Sequence, residues 1–434
     1  MKTLQGQLAK TMFGTFGLKI SSLGLSFITS IFLSRLLGAA GYGTYAYAVV
    51  WLSILNIPAT LGLRELMVRE VAVCHSQTDL SSLRGLLLWA NRMVLGVSIA
   101  IALLAAIVAY WVGPDLNSIA LVVFLLAMTS LPLKALTALR QATLQGLHRV
   151  VIGQMPELAL QPFLFVLVLG GTYLITQAPI SVVWIMGFRV ATVLIAFLVG
   201  TVILSRTLPS GLRTVQPDYR KIGGWLRSVL PFILISATVL INTRADAIML
   251  GALQNTEAVG IYTVVTRGAD FVTLVLIVTN QSIRPKLARL YAAGQLQALQ
   301  NLVTKTARLT ATAALPIALF LIVFGQWYLW LFGPDFLQGR TALALLGASQ
   351  LLGATIGSVG LLLSMTGHER DTSICVAVSA IANILLNLLL IPRWGINGAA
   401  AATLASNVLW NLSLSVLVYK RLKIKPSIFG KIAV

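Results

Sequence analysis

Long apolar runs alternate with short polar breaks from one end of the chain to the other. Twelve runs reach about twenty residues, the length at which a helix rising 1.5 Å per residue crosses roughly 30 Å of hydrocarbon. The first six are Met12–Ser34, Tyr42–Leu61, Gly85–Val112, Ile119–Leu139, Val151–Thr176 and Val182–Leu204. The second six are Val229–Leu250, Val259–Gln281, Leu309–Leu331, Ala342–Met365, Thr372–Ile391 and Ile396–Val418. The pattern predicts an all-α integral membrane protein with twelve transmembrane helices. The first run is too long for the apolar region of a secretory signal and further runs follow at once, so it reads as a retained first helix.

The breaks differ in charge. Alternate breaks, counted from the N-terminus, hold twenty-three lysines and arginines, whereas the other set holds Arg35, Arg340 and Arg393. The positive-inside rule then places both termini in the cytoplasm and requires an even number of helices. The external breaks are short, Gly113–Ser118 and Gln177–Ser181 among them, and leave no external domain to carry an active site. Two cytoplasmic breaks, Leu63–Arg84 and Ser282–Arg308, are longer. Leu287, Leu290, Leu296, Leu299 and Leu302, mixed with arginine and glutamine, predict an amphipathic connector on the inner leaflet.

Composition narrows the class. Of 434 residues 58% are hydrophobic and 10% charged, against about 25% charged in soluble domains, which leaves no room for a sizeable soluble domain. The net charge of +20 lies in the breaks rather than on a helical face, which fits membrane orientation and not nucleic-acid binding. Cys74 lies in a basic break and Cys375 in an apolar run, without the spacing of a disulfide pair or a metal site. No P-loop, HExxH or GxSxG motif occurs, and His75, His148 and His368 all fall in breaks. Catalytic residues and metal ligands are therefore not expected, and the chain does not read as an enzyme.

The two halves echo one another. Leu37-Gly38-Ala39 and Gly43-Thr44-Tyr45 return as Leu250-Gly251-Ala252 and Gly260-Ile261-Tyr262. Gly113-Pro114-Asp115 returns as Gly333-Pro334-Asp335, and Gly146-Leu147-His148-Arg149 as Gly367-His368-Glu369-Arg370. Recurrence in one order predicts two pseudo-symmetric six-helix lobes, Met1–Leu208 and Pro209–Val434. Because six is even, the lobes share one polarity, and transporters built this way carry substrate near the midplane between the repeats by alternating access.

What remains is charge inside the membrane. The runs hold six cations (Lys19, Arg92, Lys134, Arg189, Arg244, Arg267) and three anions (Glu157, Asp246, Asp270). A charge at the bilayer centre costs about 2.5–3.5 kcal/mol on insertion scales, so such residues line polar cavities or pair. Arg244, Asp246, Arg267, Asp270 and Arg189 fall in the outer half of the bilayer; Lys19, Arg92, Lys134 and Glu157 lie nearer the cytoplasm. Arg267 and Asp270, three apart, can pair on one face. Arg92 and Lys134 can instead snorkel to the headgroups. The excess of cations predicts a cavity for an anionic group, with Arg244, Arg267, Arg189 and Lys19 as substrate-binding candidates and Asp246, Asp270 and Glu157 as ion-pair or coupling residues. Arginine suits phosphate oxygens gripped in pairs. Pro58, Pro132, Pro156, Pro162 and Pro316 supply kinks or hinges.

The stretch LSRLLGAAGYGTYAYAVVWLSILNIPATLGLRELMVREVA, beginning at Leu33, resembles the first hairpin of the polysaccharide or O-antigen repeat-unit flippases (Wzx-type) of the MOP superfamily. Asp246-Ala247-Ile248-Met249-Leu250-Gly251, Gly260-Ile261-Tyr262 and Leu144-Gln145-Gly146 resemble the same family's later helix ends. The resemblance implies a MOP/MATE-like fold in the bacterial plasma membrane. It implies transfer of an undecaprenyl-diphosphate-linked oligosaccharide from inner to outer leaflet. A cationic inter-lobe cavity, coupling to a proton or sodium gradient and partnership with other polysaccharide-assembly proteins are expectations of that family. MATE-like multidrug or cation antiporters share twelve helices but favour acidic cavities, and lipid II flippases carry two further helices. A membrane-embedded polymerase or ligase would show a large external loop.

Overall fold

The computed structural model describes residues 2–112, 118–176, 180–212, 214–220, 222–223 and 244–430. Most of the seventh apolar run (229–243) and the Gly113-Pro114-Asp115 motif lie outside the described residues. Among those described the chain is helical throughout, with no strand. The elements are α1 (Lys2–Thr60), α2 (Leu63–Ser76), α3 (Leu80–Val112), α4 (Ile119–Thr129), α5 (Leu131–Gly146), α6 (Val150–Met155), a π-helical turn (Pro156–Leu160), α7 (Gln161–Thr176) and α8 (Val182–Thr207). They continue with α9 (244–253), α10 (Thr256–Ala292), α11 (Leu296–Trp330), a 3-10 turn (Pro334–Gly339), α12 (Arg340–Ile356), α13 (Val359–Met365) and α14 (Glu369–Leu422).

Eight helices among the described residues are long and apolar enough to cross a membrane; α12 and α13, bent by 42° at their junction, make a ninth if taken as one span. Two of the eight each cover two of the apolar runs. Gly38 (φ 64°, ψ −177°) breaks α1 between its runs, and Gly395 (φ 53°, ψ −128°) breaks α14 beyond Pro392. Trp111, Leu174 and Ile175 are largely exposed. Every backbone group of a crossing helix is satisfied internally, so its apolar side chains can face lipid. The chain is a multi-pass membrane protein.

Packing divides the chain into two compact units, Met1–Leu37 with Thr44–Leu240, and Gly38–Gly43 with Ile241–Val434. The expected division at Leu208/Pro209 lies within the first of these units. After α8 the chain folds back on the start of α3: the Asp218 amide donates to the Ser81 carbonyl at 3.0 Å, and Arg84 donates to the Val215 carbonyl.

In unit 1, Leu63, Leu66 and Met67 of α2, Leu83 and Leu86 of α3 and Leu131, Leu139 and Leu144 of α5 are fully buried. Gly146 allows α5 to approach α2, since a Cβ there would lie 2.8 Å from Val71. Ser118 caps α4 by accepting from the Leu121 amide at 3.3 Å. Proline at 156 supplies no amide hydrogen, and the Gln161 amide reaches back to the Pro156 carbonyl to close the π turn.

In unit 2, Asn255 caps α10 by accepting from the Ala258 amide at 2.8 Å. Tyr42 packs on Phe336 with ring centroids 6.0 Å apart. Gly260 meets residues 39–43 so closely that a Cβ would stand 2.6 Å from the Ala39 carbonyl oxygen. The connector expected on the inner leaflet over Ser282–Arg308 is instead the continuation of α10, a turn at Gly294 (φ 68°) and the start of α11. Leu287 and Leu299 are fully buried in a cluster with Leu362, Leu363, Leu414 and Val418, so protein rather than lipid covers those leucines.

Candidate functional site

Unit 1 holds an ionic cluster inside its apolar runs. Lys134 on α5 donates to Glu157 at 3.0 Å and to Gln161 at 3.1 Å. Gln141, two turns further along α5, donates to the other oxygen of Glu157. The π turn carries Glu157, and its extra residue sets the carboxylate toward α5. Lys134 therefore pairs rather than snorkels. Arg140, counted by charge pattern among the loop cations, is 4% exposed inside α5. Its Nη1 donates to the Phe197 carbonyl at 2.8 Å and its guanidinium lies 5.8 Å from the Phe197 ring centroid. Glu157 is its electrostatic partner, while Nε and Nη2 find no acceptor among the described residues. Elsewhere in the unit, Arg189 on α8 donates to the Tyr45 hydroxyl at 2.6 Å and lies over that ring at 5.6 Å. Lys19 on α1 and Arg92 on α3 are exposed.

The intramembrane charges described in unit 2 fall into groups of different character. In the first, Arg244 on α9 and Arg267 on α10 both interact electrostatically with Asp270 on α10. Arg244 and Asp270 are exposed. The spacing expected to let Arg267 and Asp270 pair is thus joined by a second guanidinium from a neighbouring element. In the second group, Asp246 has neutral hydrogen-bonding partners. Its Oδ2 accepts from the Tyr262 hydroxyl at 2.8 Å and the Thr403 hydroxyl at 2.5 Å, and its Oδ1 accepts from Asn387 at 2.7 Å. Asn387 also donates to Asn383 at 3.0 Å, and Asn383 to Ser406 at 3.2 Å. The Asn387 Oδ1 is buried with no donor among the described residues. No set of three His, Cys, Asp or Glu residues that could hold a metal ion occurs among the described residues.

Charge and the resemblance singled out Asp246, and Tyr262 was marked only as part of a repeated motif; Asn387 and Thr403 escaped notice because asparagine and threonine barely alter an apolar profile. The signal that could have found them is Asn383 with Asn387, spaced i, i+4 in the run Thr372–Ile391, because an unpaired amide in hydrocarbon is costly.

A family model described as "Polysaccharide biosynthesis protein" matches residues 8–291, and the MatE model matches residues 231–390. A probable low-salt glycan biosynthesis flippase of Haloferax volcanii is 22% identical over 406 residues, covering 92% of this chain and 81% of that protein. Among solved structures, an inward-facing multidrug resistance MATE family transporter of the MOP superfamily superposes with a TM-score of 0.73 at 14% identity, over 93% of this chain and 94% of that one. The lipid II flippase MurJ, in an inward closed conformation, superposes with a TM-score of 0.71 at 14% identity, over 94% of this chain and 87% of that one. These likenesses establish the fold, and the span of the first match, well over half the sequence, establishes the family: the chain belongs to the polysaccharide biosynthesis proteins.

Proposed function

We propose that the chain is a flippase that carries an undecaprenyl-diphosphate-linked oligosaccharide unit from the inner to the outer leaflet of the bacterial plasma membrane, for surface polysaccharide assembly, by alternating access. Twelve crossings with both termini in the cytoplasm go with this reading. One observation carries it: Arg244 and Arg267, from two elements, share the single carboxylate of Asp270. Two guanidiniums thus act on one carboxylate, with Arg244 and Asp270 exposed, and guanidinium forks match the paired oxygens of a diphosphate. Arg189, held by Tyr45, and the exposed Lys19 supply further positive charge in unit 1. Asp246 is the coupling residue. Among the described residues its hydrogen bonds come from neutral groups, so no salt bridge competes with an incoming proton or sodium ion, and the buried Asn387 Oδ1 offers a hard cation a second oxygen.

Reconstitution tests the assignment. Proteoliposomes carrying a fluorescent lipid-linked oligosaccharide report its transfer to the opposite leaflet. Arg244→Ala and Arg267→Ala are each expected to slow transfer at least tenfold while leaving the amount of folded protein unchanged; normal transfer by both variants would remove the cationic site. The MatE match over residues 231–390 favours a second reading, a cation or multidrug antiporter. That reading predicts resistance to cationic dyes on overexpression and no change in surface glycan.

A further inference from the structure

Unit 2 contains a chamber of about 500 Å³ that no charge pattern marked. It opens beside the C-terminal half of α10, the α12–α13 bend and the part of α14 beyond its Gly395 break, at residues 407–411. Arg267 and Asn280 are thirteen residues apart on α10, which sets the chamber about 20 Å along the helix from the arginine pair. The bend is what makes room for it. Gly357 holds φ +85°, a conformation that side chains rarely adopt, and the turn opens the wall between the helices. Irregular backbone at membrane depth is tolerated where it lines a polar cavity.

The lining is rich in amides and hydroxyls and carries one cation, Arg284; among the described residues no carboxylate lines it. Ser358 donates to the Asn280 carbonyl oxygen, which leaves the Asn280 amide nitrogen as a donor. Asn407 gives its amide nitrogen to Ser349 at 2.8 Å and Asn411 gives its own to the Asn407 backbone carbonyl at 2.9 Å. Both side-chain carbonyls stay available as acceptors among the described residues. Trp410, part-buried between them in sequence, adds an indole to the same wall. Arg284 is exposed and forms no ion pair among the described residues.

We propose that this chamber binds one pyranose ring that carries an acidic group. Amide donors and acceptors match the vicinal hydroxyls, the indole face matches the apolar C–H face of the ring, and Arg284 meets the acid. The volume lies within the roughly 300–1,000 Å³ of ordinary ligand sites. The lack of a carboxylate argues against a cationic ligand. That the ring belongs to the transported glycan rests on the flippase reading; that the chamber takes such a ring does not.

The test is titration calorimetry on the full chain in lipid nanodiscs, with D-glucuronate, methyl α-D-glucoside and acetate as probes. Glucuronate should bind more tightly than the glucoside, and acetate not measurably. Arg284→Gln should weaken glucuronate about tenfold and leave the glucoside unchanged. Asn407→Ala and Asn411→Ala should weaken both sugars, and Asn407→Ser, which keeps a hydroxyl, should recover part of the loss; thermal melting of each variant confirms that it is folded. Acetate binding as tightly as glucuronate, or sugar binding that none of the variants moves, would overturn the proposal. In proteoliposomes, wild type that transfers no lipid-linked oligosaccharide, with the sugar titrations as expected, removes the flippase reading and leaves the chamber standing. Transfer with the same preference for acidic over neutral cargo in wild type and Arg284→Gln removes the chamber's role in cargo choice and leaves the flippase reading intact.

Discussion

Glu157 stands between two cations, and each needs it. Lys134 bonds it at 3.0 Å, and Arg140, almost wholly buried, has it as electrostatic partner. Glu157→Gln keeps the shape and removes the charge. Breaking a fully buried pair costs about 3–5 kcal/mol. Here the two side chains retain 18% and 29% exposure, so a loss of about 1–3 kcal/mol is expected, read as a lower melting temperature in nanodiscs. Replacing both members, Lys134→Met with Glu157→Met, should cost less than Glu157→Gln alone, because no charge of the pair is then stranded; a larger loss in the double variant would mean that the pair's geometry matters more than its charge. Asp246 calls for a different readout. Asp246→Asn keeps the outline of the side chain, and the hydroxyls of Tyr262 and Thr403 can each turn to accept or donate. The variant should melt within a few degrees of wild type, yet its transfer rate should no longer respond to an imposed proton or sodium gradient. Loss of folded protein would instead assign Asp246 a purely structural role. The contrast between the two acids also marks what a sequence reveals at this scale. Both stood out as charges in apolar runs, but nothing in the runs distinguished the one held by a lysine from the one held by an amide and two hydroxyls.

Elements are limited by something other than hydropathy. The eighth apolar run ends at Gln281 because polar residues begin there, yet α10 continues to Ala292. Hydropathy locates the edge of the hydrocarbon, whereas the helix persists as long as Leu287 has Leu299 and Leu362 to pack on. The same blindness merged nothing and split nothing in the wrong place at Gly38 and Gly395, where a positive-φ glycine turns one run into the next. Close approach was likewise invisible in the residue pattern. Gly43 and Gly260 were noticed as repeat positions, and in unit 2 they meet: a Cβ on Gly260 would lie 2.8 Å from the Gly43 Cα, and one on Gly43 would overlap the Thr256 carbonyl. Backbone cannot yield as a flexible side chain can, so Gly260→Ala is expected to cost about 1–3 kcal/mol by overpacking. Gly43→Ala should cost as much, and the double variant less than the sum, since one displacement of residues 39–43 relieves both overlaps. Melting curves of the three proteins decide this; strict additivity would show that the two glycines do not share a contact.

At the scale of the whole molecule, orientation follows from charge placement, and it can be checked without reference to any ligand. The breaks alternate between rich and poor in lysine and arginine, twenty-two against three once the buried Arg140 is set aside. Near a helix end each such residue opposes translocation, so the sum over many breaks is far harder to reverse than any one of them. The inference also has to pass through the seventh run, and a missed or surplus crossing there would invert every break that follows. Reporter fusions separate these cases. Alkaline phosphatase, active only outside, should be active when fused after Leu116, Asn255 or Trp394. Green fluorescent protein, fluorescent only inside, should report after Gln77, Leu147, Gly294 and Gly367. A single error at the seventh run would leave the reporters at 77, 116 and 147 as expected and invert those at 255, 294, 367 and 394. Inversion of all seven would overturn the cytoplasmic placement of the termini that the charge pattern predicts.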